Sequence, residues 1–393
     1  EKLGDLLLQG WNSQSEERKL DFYKWNSDNS WIEDYSTFTV IREEFNMMPW
    51  WQWPKEFKLK NNKFLKSWIK KKSEKILIKK LIQWHLDKQW KDIKNFAKLC
   101  NVKLIGDLPF YVSWDSADVW SNKSLFSIFK NGTLIFQSGV PPDYFSSTGQ
   151  LWGTPTYFWS KHKNTNFYWW RNRFKRQFEL MDLLRLDHFR GLAGYWRVNG
   201  NSKTAISGKW ISSPGRSLLS KLKFDLGTEY LPIIAEDLGV ITPDVEKLRK
   251  NFKLPGMKIL QFAFDGNKDN PYLPRNINGE NWVVYTGTHD NSTSMSWWDS
   301  LESNSKKRIS DEYKFSEDPS WSLIEIGMKT DANLFIAPIQ DILSLDDSSR
   351  LNIPGTTKNN WKWKLNRPLE EIEDDITISV SYTHLRAHET GYN

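Results

Sequence analysis

Leu183-Leu184-Arg185-Leu186-Asp187-His188 is an apolar run closed by an acid. A strand with one wet face alternates apolar and polar residues. This run is largely apolar, as in a parallel strand covered on both faces. The same form recurs at Val102–Leu108, Leu231–Leu238, Met257–Phe264, Trp282–Asp290 and Leu334–Asp341. Helical patterns such as Asp244–Phe252 and Lys306–Tyr313 separate the later runs. Repeated strand–helix units predict a parallel α/β fold. Acids at the C-terminal ends of successive runs favour a (β/α)8 barrel, whose active sites sit at that face. A doubly wound sheet is the alternative, but no glycine-rich phosphate loop follows any run. These runs fall two short of the strands that close such a barrel.

The first hundred residues read differently. Leu6 to Trp11, Phe22, Trp25 and Trp31 to Phe38 recur near the helical period. Pro49 and Pro54 bracket a loop around Trp50, Trp51 and Trp53. From Phe64 to Cys100 the spacing predicts one long amphipathic helix or a pair. The lysines of Lys55 to Lys80 read as the solvated face of such helices, although a net charge of +7 leaves nucleic-acid binding as the reading from charge alone. The 23 tryptophans predict either a large aromatic core or flat-faced ligands such as sugar rings. One cysteine, Cys100, excludes an internal disulfide framework and suits a reducing compartment. No apolar stretch is long enough to span a bilayer.

Three acids stand at run ends, Asp187, Glu236 and Asp290, and Asp107 stands at a fourth. In a barrel such ends converge on one cavity, where carboxylates perturb one another as acid/base and nucleophilic work requires. Arg185 lies two residues before Asp187, on the same strand face, and favours its ionised form. Glu236 follows Ile233-Ile234-Ala235, an apolar approach that should raise its pKa as a general acid requires. Asp290 and His289 suit sugar hydroxyls and developing positive charge, though His188 and His289 also read as structural histidines. Outside the C-terminal tail, where His384 and His388 stand four apart, no His-x-x-x-His or paired-cysteine spacing occurs, so neither metal nor cofactor is expected. A nucleophilic carboxylate plus a carboxylic acid is the retaining glycoside mechanism.

With these residues in place, the chain resembles the 4-α-glucanotransferases, the amylomaltase or disproportionating-enzyme family related to the α-amylase clan. The motifs are IGDLPFYVSWDSADVW from Ile105, GVPPDYFSSTGQLWGTPTY from Gly139, LRLDHFRGLAGYW from Leu184, IIAEDLGVITPDV from Ile233 and VVYTGTHDN from Val283, followed by RLNIPGTTKNNWKWKL from Arg350. The resemblance implies Asp187 as nucleophile, Glu236 as acid/base and Asp290 as transition-state stabiliser. It implies Asp107, Arg185 and His289 around the cleaved bond. It also implies a loop over the cleft in which Tyr144, Phe145, Gln150 and Trp152 touch the glucan. Ser292 and Thr154 stand where many members carry Asp and Asn.

The resemblance divides the chain into a helical insertion at 1–100 preceding barrel strand three, strands three to eight at 101–376 with an insertion at 113–180 carrying the lid, and a tail at 377–393. Strands one and two would lie upstream, so residues 1–393 alone are expected to be unstable. Residues 381–393 have no counterpart in the family and read as artefactual. The expected activity is transfer between malto-oligosaccharides in the cytoplasm, with α-1,4-glucans as partners and neither nucleic acid nor membrane. An α-glucan hydrolase on the same scaffold and a non-catalytic glucan-binding fragment are the rivals.

Overall fold

A computed structural model describes residues 2–142, 146–239, 241–279, 281–356 and 358–372. The expected tail, 377–393, and two of the expected lid residues, Tyr144 and Phe145, lie outside the described residues. The chain forms two compact units, residues 1–233 with 242–248, and residues 234–241 with 249–393.

The first unit opens with helices Lys2–Asn12, Glu16–Asp28, Trp31–Glu44, Asn62–Lys71 and Ser73–Leu99. Ser15 and Asn61 begin two of them by accepting the N–H three residues on, which satisfies donors that a helix start leaves open. The segment from Phe64 to Cys100 is thus a pair of helices, the second 27 residues long. It buries Leu81 and Trp84 against Trp11, Phe22, Trp25 and Ile32. Trp11 meets Phe22 edge-on at 4.9 Å, and Phe22 meets Trp84 at 5.5 Å. Each such pair adds about 1 kcal/mol beyond its burial. Trp50, Trp53, Trp84, Trp120 and Trp170 are fully buried, so much of the tryptophan excess is core. Between Pro49 and Pro54 the expected loop contains a 3-10 turn, Trp50–Gln52. Among the lysines, Lys60, Lys72, Lys79 and Lys80 pair with Asp34, Glu44, Glu43 and Glu33 of the helix Trp31–Glu44.

The strands of the first unit are β1 (Ile105–Leu108), β2 (Phe136–Val140), β3 (Gln150–Pro155), β4 (Leu183–Leu186), β5 (Gly194–Asn199) and β6 (Gly208–Ser212). β1 and β4 run parallel, with Asp107 directly opposite Arg185. β3, β2, β5 and β6 form an antiparallel sheet in that order. The sequence does not foreshadow this sheet, because its strands lack a sustained apolar run and pair across long separations. Gly139 is required in β2: a Cβ there would sit 2.2 Å from the carbonyl oxygen of Gln150 on the neighbouring strand.

The remaining strands are β7 (Ile233–Ala235), β8 (Gly256–Ile259), β9 (Trp282–Tyr285) and β10 (Leu334–Ile336). In the second unit β8, β9 and β10 form a parallel sheet with β9 central. Its two faces are both covered. Val284 packs into a cluster with Leu260, Phe264, Ile309 and Leu323, whereas Val283 and Tyr285 pack with Ile234, Met257 and Ile259. That double coverage is why these strands read as continuous apolar runs. A strand falls on each of the six expected runs and is shorter than the run; except at Val102–Leu108, where the strand reaches the run's end, it stops before the closing residues. The run Leu334–Asp341 is the clearest difference: the strand stops at Ile336, and Asp341 lies in the helix Ile339–Ile342 after Pro338. No helix among the described residues is long and apolar enough to cross a membrane.

Candidate active site

In the first unit the candidate groups stand where β1 and β4 end. The parallel register sets Asp107 beside Arg185, and the strand period sets Asp187 on the same face as Arg185. The guanidinium then forks. Nη1 donates to Asp107 Oδ2 at 2.6 Å, and Nη2 donates to Asp187 Oδ1 at 2.9 Å. Arg185 is 13% exposed, while the two carboxylates are 46% and 43% exposed. A largely buried cation thus fixes two carboxylates that remain open to a ligand. The planar guanidinium suits this, because its donors diverge at fixed angles.

The next residue, His188, has φ +51°, in the left-handed region where histidine is tolerated at a cost of about 1 kcal/mol. Its ring lies 4.9 Å from that of Trp152, edge to face, and 5.9 Å from that of Tyr111. Burial, reinforced by the charge of Arg190, lowers its pKa to about 3, so it is neutral at neutral pH. His188 is therefore packed and uncharged at neutral pH. Gln150 and Trp152 do not lie in a loop as expected but on strand β3. The Trp152 indole donates to Gln150 Oε1 at 3.3 Å and stays 37% exposed. The departure at Thr154 is satisfied locally, its hydroxyl bonded to that of Ser138.

In the second unit Glu236 follows β7. Its Oε1 accepts the N–H of Leu238 at 3.2 Å. Its neighbour Asp237, which sequence reasoning passed over, is buried beside Arg249. Burial pushes the Asp237 carboxyl up to about 6, even though Arg249, Lys258 and the N–H of Met257 oppose the shift.

Asp290 lies past β9 in a turn. The Thr288 hydroxyl accepts the Asp290 N–H, and Asn291 Oδ1 accepts the Thr288 N–H at 2.9 Å. Asn352 Nδ2 donates to Asp290 Oδ1 at 2.6 Å, and Arg350 Nη2 donates to the Asp290 carbonyl at 2.6 Å. Arg350 also donates to the Ser292 hydroxyl at 3.1 Å, so serine at this departure still ties the turn down. His289 Nε2 lies 3.5 Å from Asp290 Oδ1, and its ring lies 5.2 Å from that of Trp361. Arg350 and Asn352 carry no strand-end signal; only their long-range hydrogen bonds mark them.

A family model described as 4-alpha-glucanotransferase matches residues 3–370. The 4-alpha-glucanotransferase of Synechocystis sp. is 42% identical over 370 residues, covering 93% of this chain and 72% of that enzyme. The chloroplastic/amyloplastic 4-alpha-glucanotransferase of Arabidopsis thaliana is 41% identical, over 93% of this chain but 63% of its own length. Among solved structures, an amylomaltase from Streptococcus agalactiae in complex with acarbose superposes with a TM-score of 0.90 at 32% identity. That match covers 95% of this chain and 75% of the other.

Proposed function

This chain belongs to the 4-alpha-glucanotransferase family, and we propose that it moves α-1,4-glucan segments between malto-oligosaccharides by a retaining double displacement. The observation that carries the reading is the fork of Arg185 between Asp107 and Asp187, which orients an accessible carboxylate beside a fixed cation.

In this reading Asp187 Oδ attacks the anomeric carbon while Glu236 gives its proton to the departing glycosidic oxygen. The glycosyl group is left as an ester on Asp187. The 4-hydroxyl of an acceptor sugar then gives its proton to Glu236 and attacks the same carbon, releasing Asp187 as carboxylate. Asp290, held by Asn352, stabilises the positive charge that develops on the ring in both steps. Asp107 and Arg185 bind the sugar around the scissile bond, with His289 beside Asp290. Gln150 and Trp152 line the glucan path, and Tyr144 and Phe145 are assigned there by resemblance. Aromatic faces that exclude water favour a sugar acceptor over hydrolysis.

The finer fold reading is a (β/α)8 barrel to which β1, β4, β7, β8, β9 and β10 contribute strands three to eight. It is supported by acids at successive strand ends and by the likeness to the amylomaltase from S. agalactiae. We place the reaction in the cytoplasm, where the single thiol of Cys100 suits a reducing medium.

The test is E236Q with α-maltosyl fluoride. Fluoride leaves without a proton, but the second step still needs a base, so a glycosyl adduct accumulates. Mass spectrometry should place it on Asp187. An enzyme that turns over the fluoride without any adduct, or carries one elsewhere, contradicts the paired roles.

A further inference from the structure

Glu236 sits between two tethers. On one side the Ala235 N–H donates to the Pro255 carbonyl at 2.8 Å. On the other, Asp237 Oδ1 accepts the N–H of Met257, in β8, at 2.8 Å. The second carboxylate oxygen, Oδ2, lies 3.0 Å from Arg249 Nε, and this ion pair is sealed, with side chains 8% and 4% exposed. Arg249 is itself held in place. Its Nη1 donates to the Leu254 carbonyl at 3.0 Å, and its guanidinium lies 4.2 Å from the Trp282 ring centroid. Glycine at 256 leaves room here: a Cβ would come within 2.5 Å of both Asp237 Oδ2 and Trp282 Cζ3.

A buried ion pair is a costly way to stabilise a fold, since an apolar pair of similar size does as well or better. It is an effective way to fix a direction, because one oxygen accepts the Met257 N–H while the other faces the Arg249 cation, on different parts of the chain. From this geometry we infer that Asp237 is a positioning residue for the acid/base: by locking the backbone on the far side of Glu236 to β8, it fixes the line along which the Glu236 carboxyl meets the glycosidic oxygen. The inference rests on the acid/base role proposed above for Glu236. Asparagine at 237 carries no charge and one acceptor oxygen where the site presents the Met257 N–H and the Arg249 cation, so D237N releases one tether while changing little in volume.

The experiment compares two donors in the purified enzyme. Maltotriose needs its leaving group protonated; α-maltosyl fluoride does not. D237N should lower kcat for maltotriose disproportionation by about 10- to 100-fold, within the span of general acid catalysis. KM and the first-turnover release of fluoride should change by less than about 3-fold. G256A, which keeps both charges but crowds the carboxylate, should show the same split at smaller size. It decides the matter if D237N does not fold. Equal losses with both donors, or no loss with maltotriose, overturn the positioning role. E236Q is the control. If E236Q spares fluoride release and the 237 and 256 variants do not, only the positioning role is wrong. If E236Q also loses fluoride release, the acid/base assignment is wrong and the positioning role falls with it.

Discussion

Arg185 with Asp187 and Arg249 with Asp237 are the same residue types at nearly the same separation, 2.9 and 3.0 Å. Their surroundings are opposite. In the first unit the guanidinium is nearly covered, while the carboxylates of Asp187 and Asp107 stay open. In the second unit both partners are sealed, and burial pushes the Asp237 carboxyl up to about 6 against the pull of Arg249. An arginine 3.0 Å away therefore does not by itself hold the Asp237 pKa down, because burial raises it. The open pair leaves its carboxylates accessible, whereas the closed pair seals both partners and bonds Asp237 to the Met257 N–H. Asp290 is a third case, an open carboxylate 44% exposed that is oriented by the neutral amide of Asn352 rather than by a side-chain cation.

The strongest way to break this contrast is D187N. The amide keeps the shape of the open pair but removes the nucleophile, so glucose release from maltotriose should fall at least about 10³-fold while the thermal melt stays close to wild type. Appreciable turnover by a folded variant would show that the open carboxylate is not the attacking group.

Asn352 gives a smaller effect. A hydrogen bond to a charged group contributes about 1.5–3 kcal/mol, so N352A should lower kcat about 10- to 100-fold, with KM less affected. A KM effect alone would mean that Asn352 binds sugar and does not orient Asp290.

Trp152 should matter less again. W152A removes one half-exposed indole, for which about 1 kcal/mol, or roughly 5-fold in KM for longer donors, is expected. It should also raise the ratio of hydrolysis to transfer, read from the product ladder, as water gains access. An unchanged ladder would separate Trp152 from water exclusion.

The smallest effects are on stability, and here the two units oppose each other. Asp237 has a folded pKa raised from 3.8 to about 6 by burial, with Arg249, Lys258 and the Met257 N–H opposing. Between about pH 4 and 6 the folded protein holds a proton that the unfolded chain has released, so this group's contribution declines as pH rises through that window. His188 has a folded pKa lowered from 6.5 to about 3 by burial, with Arg190 adding to the shift. Its contribution is present above pH 6.5 and is lost as pH falls toward 3. Melting temperatures across pH 4–7 should show D237N gaining on wild type as pH rises and H188F gaining as pH falls. Parallel curves for either variant would mean that its parent side chain is not buried as described.

Legibility followed the range of the interactions. Local sequence was enough for the parallel strands, since burial on both faces leaves each an apolar run, and for placing Asp187 and Glu236 directly after two of them and Asp290 in the turn after a third. It also determined that Arg185 shares a face with Asp187, because a strand repeats every two residues. The tertiary structure alone decided the rest. The pairing of Asp107 with Arg185 depends on a strand register 78 residues away, the hold of Asn352 on Asp290 spans 62 residues, and the tether from Asp237 to Met257 spans 20. The antiparallel sheet was hidden for the same reason: β2 finds β5 some sixty residues on, through backbone hydrogen bonds that any side chain permits. Periodicity records which face of an element is dry, whereas the partner an oriented polar group meets is set only when separate elements pack.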